Sequence, residues 1–350
     1  MNRLVFVIIS IFFVIIYNSC SKTNDASTHC PCSDRNIHAD EDWWNNPQGW
    51  KAFQNDFVGI ENISFENYPK VDGSTSANVL NMMVACRLLN VRYAWWGGGG
   101  IDEWGVSPLG NDIPEEFTDF FWNGNIKTSQ THGAFMNLID GVVDIILTHR
   151  TVSSDEKAHA DHVGVKLIET SIASDAFVFV INQNNTVSSL TVDQIRKIYT
   201  GKITDWEQVG GRKASIEIYS RPRNSGSEEV FRELVMDGLE SADFPPYEII
   251  SPMWEVLRVA AMQENAICYT FNNYKDVIAR RPCNEVPVLA VNGICPEEKT
   301  INNKTYPFRS EVRVAIRSDL DHNSMAYKLY EWLQSENAKS TIEACGFFAK

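Results

Sequence analysis

Apolar positions recur with two different periods along most of the chain. Within residues 76–90 they follow helical spacing, at Val79, Leu80, Met83, Val84, Leu88 and Leu89, as expected for a helix with a buried face. Residues 176–181 are instead an unbroken run of aliphatic and aromatic side chains, which is typical of a buried strand. The same pattern predicts further strands at 68–72, 144–148, 216–220, 249 and 267–271, and further helices at 114–122, 191–199, 228–239, 254–262, 323–334 and 338–345. Strands that alternate with helices in this way predict an α/β fold.

The first residues have the form of an export signal. Arg3 gives a basic start, and residues 4–17 form an apolar run that is broken only by Ser10. The run is shorter than the roughly 20 residues that a membrane-spanning helix needs, and it fits the apolar part of a secretory signal. Ser19 and Cys20 follow at once, a placement that resembles a lipoprotein signal in which Cys20 becomes the lipidated first residue. Ordinary cleavage with an incidental Cys20 is the alternative.

The segment after this signal offers almost nothing to bury, because it is rich in Ser, Thr, Asn, Asp and His. We expect 1–19 to be the signal peptide and 20–41 to be a flexible tether. The folded part then begins near an aromatic cluster at 43–53. A chain of 350 residues is long enough for two lobes that each bury a core.

The chain is acidic, with a formal net charge of −14. Nucleic acids and anionic membrane surfaces carry the same sign of charge and would be repelled. We therefore expect no nucleic-acid partner, and membrane contact only through the lipid anchor. An anionic ligand would need cationic groups or N–H donors concentrated at its own site.

The sequence has eight cysteines, and an exported chain permits disulfides. Cys283 and Cys295 are close enough in sequence to close a modest loop, whereas Cys86 and Cys268 lie in apolar patterns and are expected to be buried thiols. Paired C-x-x-C spacing is missing from the sequence. We expect neither a metal site nor a cofactor.

The segment 219–228 joins an apolar strand to an amphipathic helix and contains Arg221, Arg223, Ser225, Gly226 and Ser227. A helix start leaves N–H groups unpaired and carries a partial positive charge, so it attracts oxyanions. Glycine lets the backbone approach closely, serines add hydroxyl donors, and an arginine grips two oxygens at once. The alternative is a serine that merely caps the helix, with both arginines in solvent.

Two further corners have a similar form. Residues 71–76 join a short strand to the helix of 76–90 through Ser74, Thr75 and Ser76. Residues 131–135 lead from Thr131 into another amphipathic helix. Corners so far apart in sequence suit one anion held between two lobes.

These corners lie in segments that resemble the phosphate-binding proteins of Pst-type ABC transporters. The matching segments are Y-P-K-V-D-G-S-T-S (68–76), T-H-G-A-F-M-N-L-I-D-G-V-V-D-I-I-L (131–147), L-T-V-D-Q-I-R-K-I-Y-T-G-K-I-T-D-W-E-Q-V-G-G (190–211), R-P-R-N-S-G-S (221–227) and A-I-C-Y-T-F (266–271). They run in the expected order from about residue 65 to the C-terminus. The segment 190–211 is the most family-specific of them.

The resemblance implies a two-lobed periplasmic-binding-protein-like fold of type II. Lobe 1 would comprise 42–172 and 272–350 and lobe 2 would comprise 173–271, with the ligand in the cleft between them at helix N-termini. Carried over motif by motif, the implied ligand-binding residues are Ser74, Thr75, Ser76, Thr131, His149, Arg221, Ser225, Gly226 and Ser227.

Two positions depart from the family pattern. His149 follows the strand 144–148 where the family usually has an acidic residue that accepts the proton of hydrogen phosphate, and Arg223 stands where the family is often acidic. An acceptor-only carboxylate rejects fully ionised sulfate, whereas histidine can donate and can carry charge. We therefore expect an unusually positive cleft and leave the choice between phosphate and sulfate open. The alternative for His149 is a solvated residue at a strand end, and neither Arg150 nor Arg223 is assigned to the ligand.

The predicted function is that of a monomeric, lipid-anchored protein of the cell envelope, at the periplasm or the cell surface. It would bind phosphate, or a similar tetrahedral oxyanion, for delivery to the permease of an ABC importer, and it would not be an enzyme. Two alternatives stay open: an anion sensor or receptor without transport, and a phosphate-ester hydrolase. For the hydrolase, Ser225 has no G-x-S-x-G context, and His132 and His149 are the available bases near the cleft.

Overall fold

The computed structural model describes residues 29–32, 57–97, 103–242, 247–250, 252–279 and 283–350. The predicted signal peptide, Cys20 and the aromatic cluster at 43–53 lie outside these residues. Twelve strands run through the described part, namely β1 Val71–Gly73, β2 Tyr93–Trp96, β3 Gly105–Pro108, β4 Ile145–Thr148, β5 Leu167–Ile181, β6 Ser189–Leu190, β7 Glu217–Ser220, β8 Tyr247–Ile249, β9 Ala266–Phe271, β10 Ala290–Val291, β11 Arg309–Arg317 and β12 Phe348–Ala349. The α-helices in the same ranges are α1 Asn78–Leu88, α2 Gln130–Ile139, α3 Ser154–Val163, α4 Val192–Tyr199, α5 Gly226–Val230, α6 Met253–Met262, α7 Glu298–Asn302, α8 Met325–Leu333 and α9 Glu336–Ala344.

Eight strands form the main sheet, in the order β1–β4–β11–β5–β9–β7–β8, with β12 also paired to β5. The long strand β5 joins two halves of this sheet: residues 167–176 pair with β11, and residues 177–181 pair with β9. We call β1, β4, β11, β12 and the first part of β5 the first half-sheet, and the remainder the second half-sheet. The mixed α/β fold predicted from the sequence is confirmed. The predicted lobe boundaries stay a prediction.

Parallel pairing sets where the chain leaves each half-sheet. β1 is parallel to β4, and β7 is parallel to both β8 and β9. Ligands of open α/β sheets bind beyond the carboxyl ends of parallel strands, where the connecting loops gather. The corners after β1 and β7 are therefore in the position that such a site requires.

Buried aromatic rings fix the second half-sheet against its helices. Phe177, Phe179, Tyr199, Phe231 and Tyr269 form one cluster of buried rings, in which Phe231 and Tyr269 stack with centroids 4.6 Å apart. Burying each such side chain contributes roughly 1.5–3 kcal/mol. Because Phe231 follows directly after α5, this packing also holds the start of that helix in place.

Several element predictions change in detail. The helix expected at 228–239 starts at Gly226 as α5 and continues as a π-helix over Phe231–Met236. The helix expected at 114–122 is a 3-10 turn over Glu115–Phe117 followed by a π-helical turn over Phe120–Gly124. β11, α3 and residues 167–175 of β5 were absent from the sequence prediction.

A disulfide joins Cys30 to Cys295 across 265 residues of sequence. Cys32 is also disulfide-bonded, and His29 Nε2 lies 3.1 Å from the carbonyl oxygen of Asn185. The pairing considered between Cys283 and Cys295 is therefore wrong. The segment 20–41, expected to be a flexible tether, is attached to the folded part at Cys30. Cys86 and Cys268 are buried thiols, as predicted, and so is Cys345.

Candidate functional site

The first corner begins where β1 ends. A Cβ at Gly73 would lie 2.7 Å from both the Asn81 amide nitrogen and the Leu147 carbonyl oxygen, so only glycine fits there. The chain then turns through Ser74 into a 3-10 turn over Thr75–Ala77 that runs on into α1. The backbone N–H groups of Thr75 and Ser76 have no hydrogen-bond partner among the described residues, which leaves both free for a ligand.

The second corner places Arg221 directly after β7. Its guanidinium donates from Nη1 to the Ile250 carbonyl oxygen at 2.8 Å and from Nε to Ser227 Oγ at 3.3 Å. Its backbone N–H donates to the Tyr269 hydroxyl at 3.0 Å. Burial lowers the pKa of the Arg221 guanidinium, which means that the charge is incompletely compensated and favours a bound anion.

Helix α5 follows this arginine. Ser225 is its N-cap and accepts from the Glu228 N–H at 3.2 Å, so the capping role considered for this serine is real. The N–H groups of Gly226 and Ser227 have no partner within the described ranges. The Ser225 side chain thus caps the Glu228 N–H, while the N–H groups of Gly226 and Ser227 stay available to a ligand.

The third corner is the start of α2, which begins at Gln130, one residue before Thr131. Gln130 has a positive φ of 62°, which turns the chain sharply into the helix. Thr131 lies directly against Gly226: a Cβ at position 226 would overlap the threonine hydroxyl. The third corner therefore closes against the second.

These corners enclose one cavity of about 210 Å³, which we call the cleft. The residues that line it are Ser74, Thr75, Ser76, Glu103, Gln130, Thr131, Arg221, Ser225, Gly226, Ser227, Pro252, Met253, Trp254 and Phe271. Eight of the nine predicted ligand-binding residues are therefore brought together, with His149 as the exception. The prediction that they contact a ligand stays a prediction.

A fourth helix start lies in the cleft wall: the sequence predicted the helix at 254–262 but not its place at the site. α6 begins at Met253 after Pro252, and no side chain caps it. Pro252, Met253 and Trp254 all line the cleft. Proline just before an apolar helical run marks a helix start, so this signal was available in the sequence.

Glu103 is a second residue that the sequence did not indicate. It lines the cleft, and its carboxylate accepts a hydrogen bond from the Tyr274 hydroxyl. Burial raises the pKa of the Glu103 carboxyl, while the nearby charge of Arg221 acts in the opposite direction. No local pattern predicts this placement, because the partners lie far apart in sequence.

His149 lies behind the cleft wall rather than in it. Its side chain is almost completely buried, and its Nδ1 lies 2.8 Å from Ser76 Oγ. Its Nε2 lies 3.4 Å from Asp175 Oδ2, and the rings of Phe271 and Phe347 flank the imidazole. The solvated alternative for His149 is wrong, and the residue expected at the ligand lies outside the cleft lining, behind Ser76.

The expectation of an unusually positive cleft is also wrong. Arg150 is buried in a two-pronged ion pair with Glu156, with contacts of 2.7 and 2.6 Å, and Arg223 is exposed outside the lining. Among the described residues that line the cleft, the charged side chains are Arg221 and Glu103. The cleft therefore relies on one arginine and on N–H groups at helix starts.

Metal ligation and membrane insertion have no structural counterpart in the ranges described. There, no three His, Cys, Asp or Glu side chains gather in a group that could hold a metal ion. No helix in the same residues combines the length and apolarity needed to cross a membrane.

Comparison with known proteins agrees with this architecture. The model of the PBP superfamily domain matches residues 115–336. The phosphate-binding protein PstS of Staphylococcus saprophyticus is 36% identical over 251 residues, which are 70% of this chain and 77% of that protein. The PstS of Borreliella burgdorferi is 25% identical over 248 residues, which are 69% of this chain and 86% of that protein.

Solved structures show the same fold at lower identity. A substrate-binding protein with bound phosphate from Clostridium perfringens is 22% identical and covers 81% of this chain and 100% of its own, with a TM-score of 0.58. An ABC-type phosphate transport receptor from Vibrio cholerae is 22% identical and covers 80% of this chain and 98% of its own, with a TM-score of 0.55.

Proposed function

The chain belongs to the PBP superfamily and, within it, to the PstS phosphate-binding proteins, and on that premise we propose that it binds phosphate reversibly in the cleft and delivers it to the permease of an ABC importer. The observation that carries the proposal is the meeting of four helix starts and one buried arginine in a single cavity. Helix starts and arginine are the groups that hold oxyanions in proteins.

The chemistry of the cleft suits a small tetrahedral anion. The N–H groups of Thr75, Ser76, Gly226 and Ser227 lack partners within the described part of the chain, and one anion with several oxygens can accept from more than one of them. Arg221 adds a charge-assisted contact, while its own hydrogen bonds to Ser227 and Ile250 hold its side chain in place. Binding requires no bond to be made or broken.

Export of the chain and a lipid anchor at Cys20 are part of the proposal. The disulfides at Cys30 and Cys32 support it, because disulfides persist in oxidising compartments outside the cytoplasm. Cys20 closely precedes Cys30 in sequence, so an anchor there would keep the folded part near the membrane. Metabolic labelling with palmitate, expected in wild type and absent in Cys20→Ser, tests this part.

Titration calorimetry with phosphate, sulfate, arsenate and molybdate tests the binding function. We expect phosphate to bind with a Kd of about 1 μM or tighter, which corresponds to about −8 kcal/mol. Arg221→Ala should weaken binding by roughly 10- to 100-fold, because a charge-assisted hydrogen bond contributes about 1.5–3 kcal/mol. Arg223→Ala is the matched control, since that side chain is exposed two positions away and should leave the affinity unchanged. Failure of all four anions to bind would refute the proposal.

A phosphate-ester hydrolase is the second candidate, because Ser76 Oγ lies 2.8 Å from His149 Nδ1 and His149 faces Asp175. Nucleophilic serines need such a base and orienting group. Ser225 does not fill this role, since its hydroxyl caps α5, and His132 is paired with Glu156. We expect no turnover of p-nitrophenyl phosphate by the wild type. Turnover that disappears in Ser76→Ala would establish the hydrolase instead.

A further inference from the structure

A chain of four buried polar side chains runs from the cleft wall into the protein. Ser74 Oγ lies 3.1 Å from Ser76 Oγ, Ser76 Oγ lies 2.8 Å from His149 Nδ1, and His149 Nε2 lies 3.4 Å from Asp175 Oδ2. All four residues are at most 4% exposed. Ser74 and Ser76 also line the cleft. The buried residues His149 and Asp175 therefore influence whether the serine hydroxyls donate to a ligand or accept from it.

The inner end fixes the direction of the hydrogen bonds. Asp175 Oδ1 accepts from the backbone N–H groups of Ala176 at 2.8 Å and Asn273 at 3.0 Å. Asp175 Oδ2 and His149 Nε2 lie 3.4 Å apart, and neither of these buried atoms has a hydrogen-bond partner among the described residues. A carboxylate offers only lone pairs, so Nε2 interacts favourably with Asp175 only when it carries the imidazole proton.

The imidazole of His149 then sets the direction of the hydrogen bonds made by Ser76 and Ser74. A neutral histidine that carries its proton on Nε2 accepts at Nδ1, so the Ser76 hydroxyl donates a hydrogen bond to His149. Ser76 Oγ in turn accepts from Ser74, because its own proton is already used. Both hydroxyl protons therefore point along the chain and away from the cleft, and the serine oxygens present lone pairs to it.

We propose that Asp175 and His149 turn Ser76 into a hydrogen-bond acceptor, so that the cleft selects an oxyanion that still carries a proton, such as hydrogen phosphate, over a fully ionised one such as sulfate. The inference rests on the proposed function. A free serine hydroxyl rotates to donate to either anion, whereas an acceptor facing sulfate sets lone pair against lone pair. His149 acts here as a positioning residue, since it reaches the ligand only through Ser76.

Glu103 is the competing source of an acceptor, because its carboxylate also lines the cleft. The two sources make different predictions. Glu103→Gln removes the carboxylate and leaves the serine chain untouched, whereas Ser76→Ala removes the serine acceptor and leaves Glu103 in place.

Asp175→Asn is the sharpest test, because it reverses the direction of these hydrogen bonds without removing a side chain from the cleft. Two backbone N–H groups hold the oxygen at the Oδ1 position, so the new amide NH2 faces His149 Nε2. Nε2 must then accept, Nδ1 donates to Ser76, and the Ser76 proton is released toward the cleft. The same logic of an inverted tautomer applies when a carboxylate beside a catalytic histidine is replaced by an amide.

The experiment measures phosphate and sulfate affinities by calorimetry at about pH 8. We expect wild type to prefer phosphate. The phosphate-to-sulfate ratio should fall by about tenfold or more in Asp175→Asn and in Ser76→Ala, the factor that corresponds to about 1.4 kcal/mol, and should hold in Glu103→Gln. Nitrogen-15 NMR of the imidazole should show the proton on Nε2 in wild type and on Nδ1 in Asp175→Asn.

Each other outcome overturns the inference in a recognisable way. An unchanged ratio in a folded Ser76→Ala protein shows that Ser76 is not the acceptor, even if Asp175→Asn fails to fold. A ratio that falls only in Glu103→Gln assigns the selection to the carboxylate. Wild type that binds both anions equally refutes the selection but leaves the proposed function standing, whereas wild type that binds neither refutes both.

Discussion

At Gly226 the chemistry of single residues decides how closely the two sides of the cleft approach. Gly226 begins α5 next to the second half-sheet, and Thr131 lies in the first turn of α2 next to the first. The space for a Cβ at 226 is already taken by the threonine hydroxyl. The absent side chain thus allows contact between the walls, and it exposes a backbone N–H to the cleft.

Gly226→Ala should therefore weaken phosphate binding by about tenfold or more, since overpacking costs typically 1–3 kcal/mol. The melting temperature of the ligand-free protein should change little, because alanine is acceptable at a helix start and the walls can separate. Calorimetry and thermal unfolding measure the two effects. Gly110→Ala is the matched control, since a Cβ there meets nothing within 4 Å. Full affinity in Gly226→Ala would show that the walls need not touch.

Elements with strong local signals were predictable from the sequence. Thr191 caps α4 in a reciprocal arrangement with Gln194, and the prediction of that helix is confirmed because both partners lie within one turn. β5 was predicted only from 176 onward, because the polar runs 169–171 and 174–175 interrupt the apolar positions of its first part. β11 was missed because its apolar positions are few and small beside its charged residues: Arg309, Glu311 and Arg313 form ion pairs with each other.

The candidate site also has parts that local sequence patterns predict and parts that they do not. Strand-to-helix corners with glycine and hydroxyl residues are visible in sequence, and the structure brings the three predicted ones together. Glu103 and the Asp175–His149 contact depend on pairings between distant elements, for which no local pattern exists. The sequence shows that these side chains are acidic or basic, but it does not show which residues they contact in the fold.

α5 supplies a prediction about pH through Glu228, which is buried and accepts from the Tyr269 hydroxyl. Burial raises the pKa of this carboxyl above its ordinary value of 4.5, against the opposing effects of Tyr269 and Arg221. A raised folded-state pKa gives stability that is fully present below the unfolded pKa and is lost as pH rises through the folded one. Glu228→Gln keeps an acceptor for Tyr269 but cannot ionise.

The melting temperature of Glu228→Gln relative to wild type should therefore increase as pH rises from about 4 to about 7, by a few degrees for a protein of this size. The other carboxyls titrate in both proteins, so their effects on the melting temperature cancel in the difference between the two. Thermal unfolding across this range measures the gap. A gap that stays constant with pH would mean that Glu228 is ionised equally easily in the folded and unfolded chains.

For the molecule as a whole, β5 is the element that both half-sheets share. It pairs with β11 over 167–176 and with β9 over 177–181, so changes in its twist would tilt one half-sheet against the other. Closure of a protein around a ligand commonly takes this form of hinge motion. The cleft lies between the corners of the two half-sheets, so such a motion would change its width.

The Cys30–Cys295 disulfide lies outside the cleft lining and should affect stability without affecting binding. It closes a loop of 265 residues, and removing a native disulfide of an exported protein typically costs about 2–5 kcal/mol, chiefly by freeing the unfolded chain. The double variant Cys30→Ser/Cys295→Ser should melt several degrees lower, while its phosphate affinity should equal that of wild type, since neither cysteine lines the cleft. Scanning calorimetry and titration calorimetry on the same samples separate the two quantities. A loss of affinity at a temperature where the variant is fully folded would instead mean that the attachment of residues 29–32 helps to shape the cleft, and that the N-terminal segment is part of the binding apparatus.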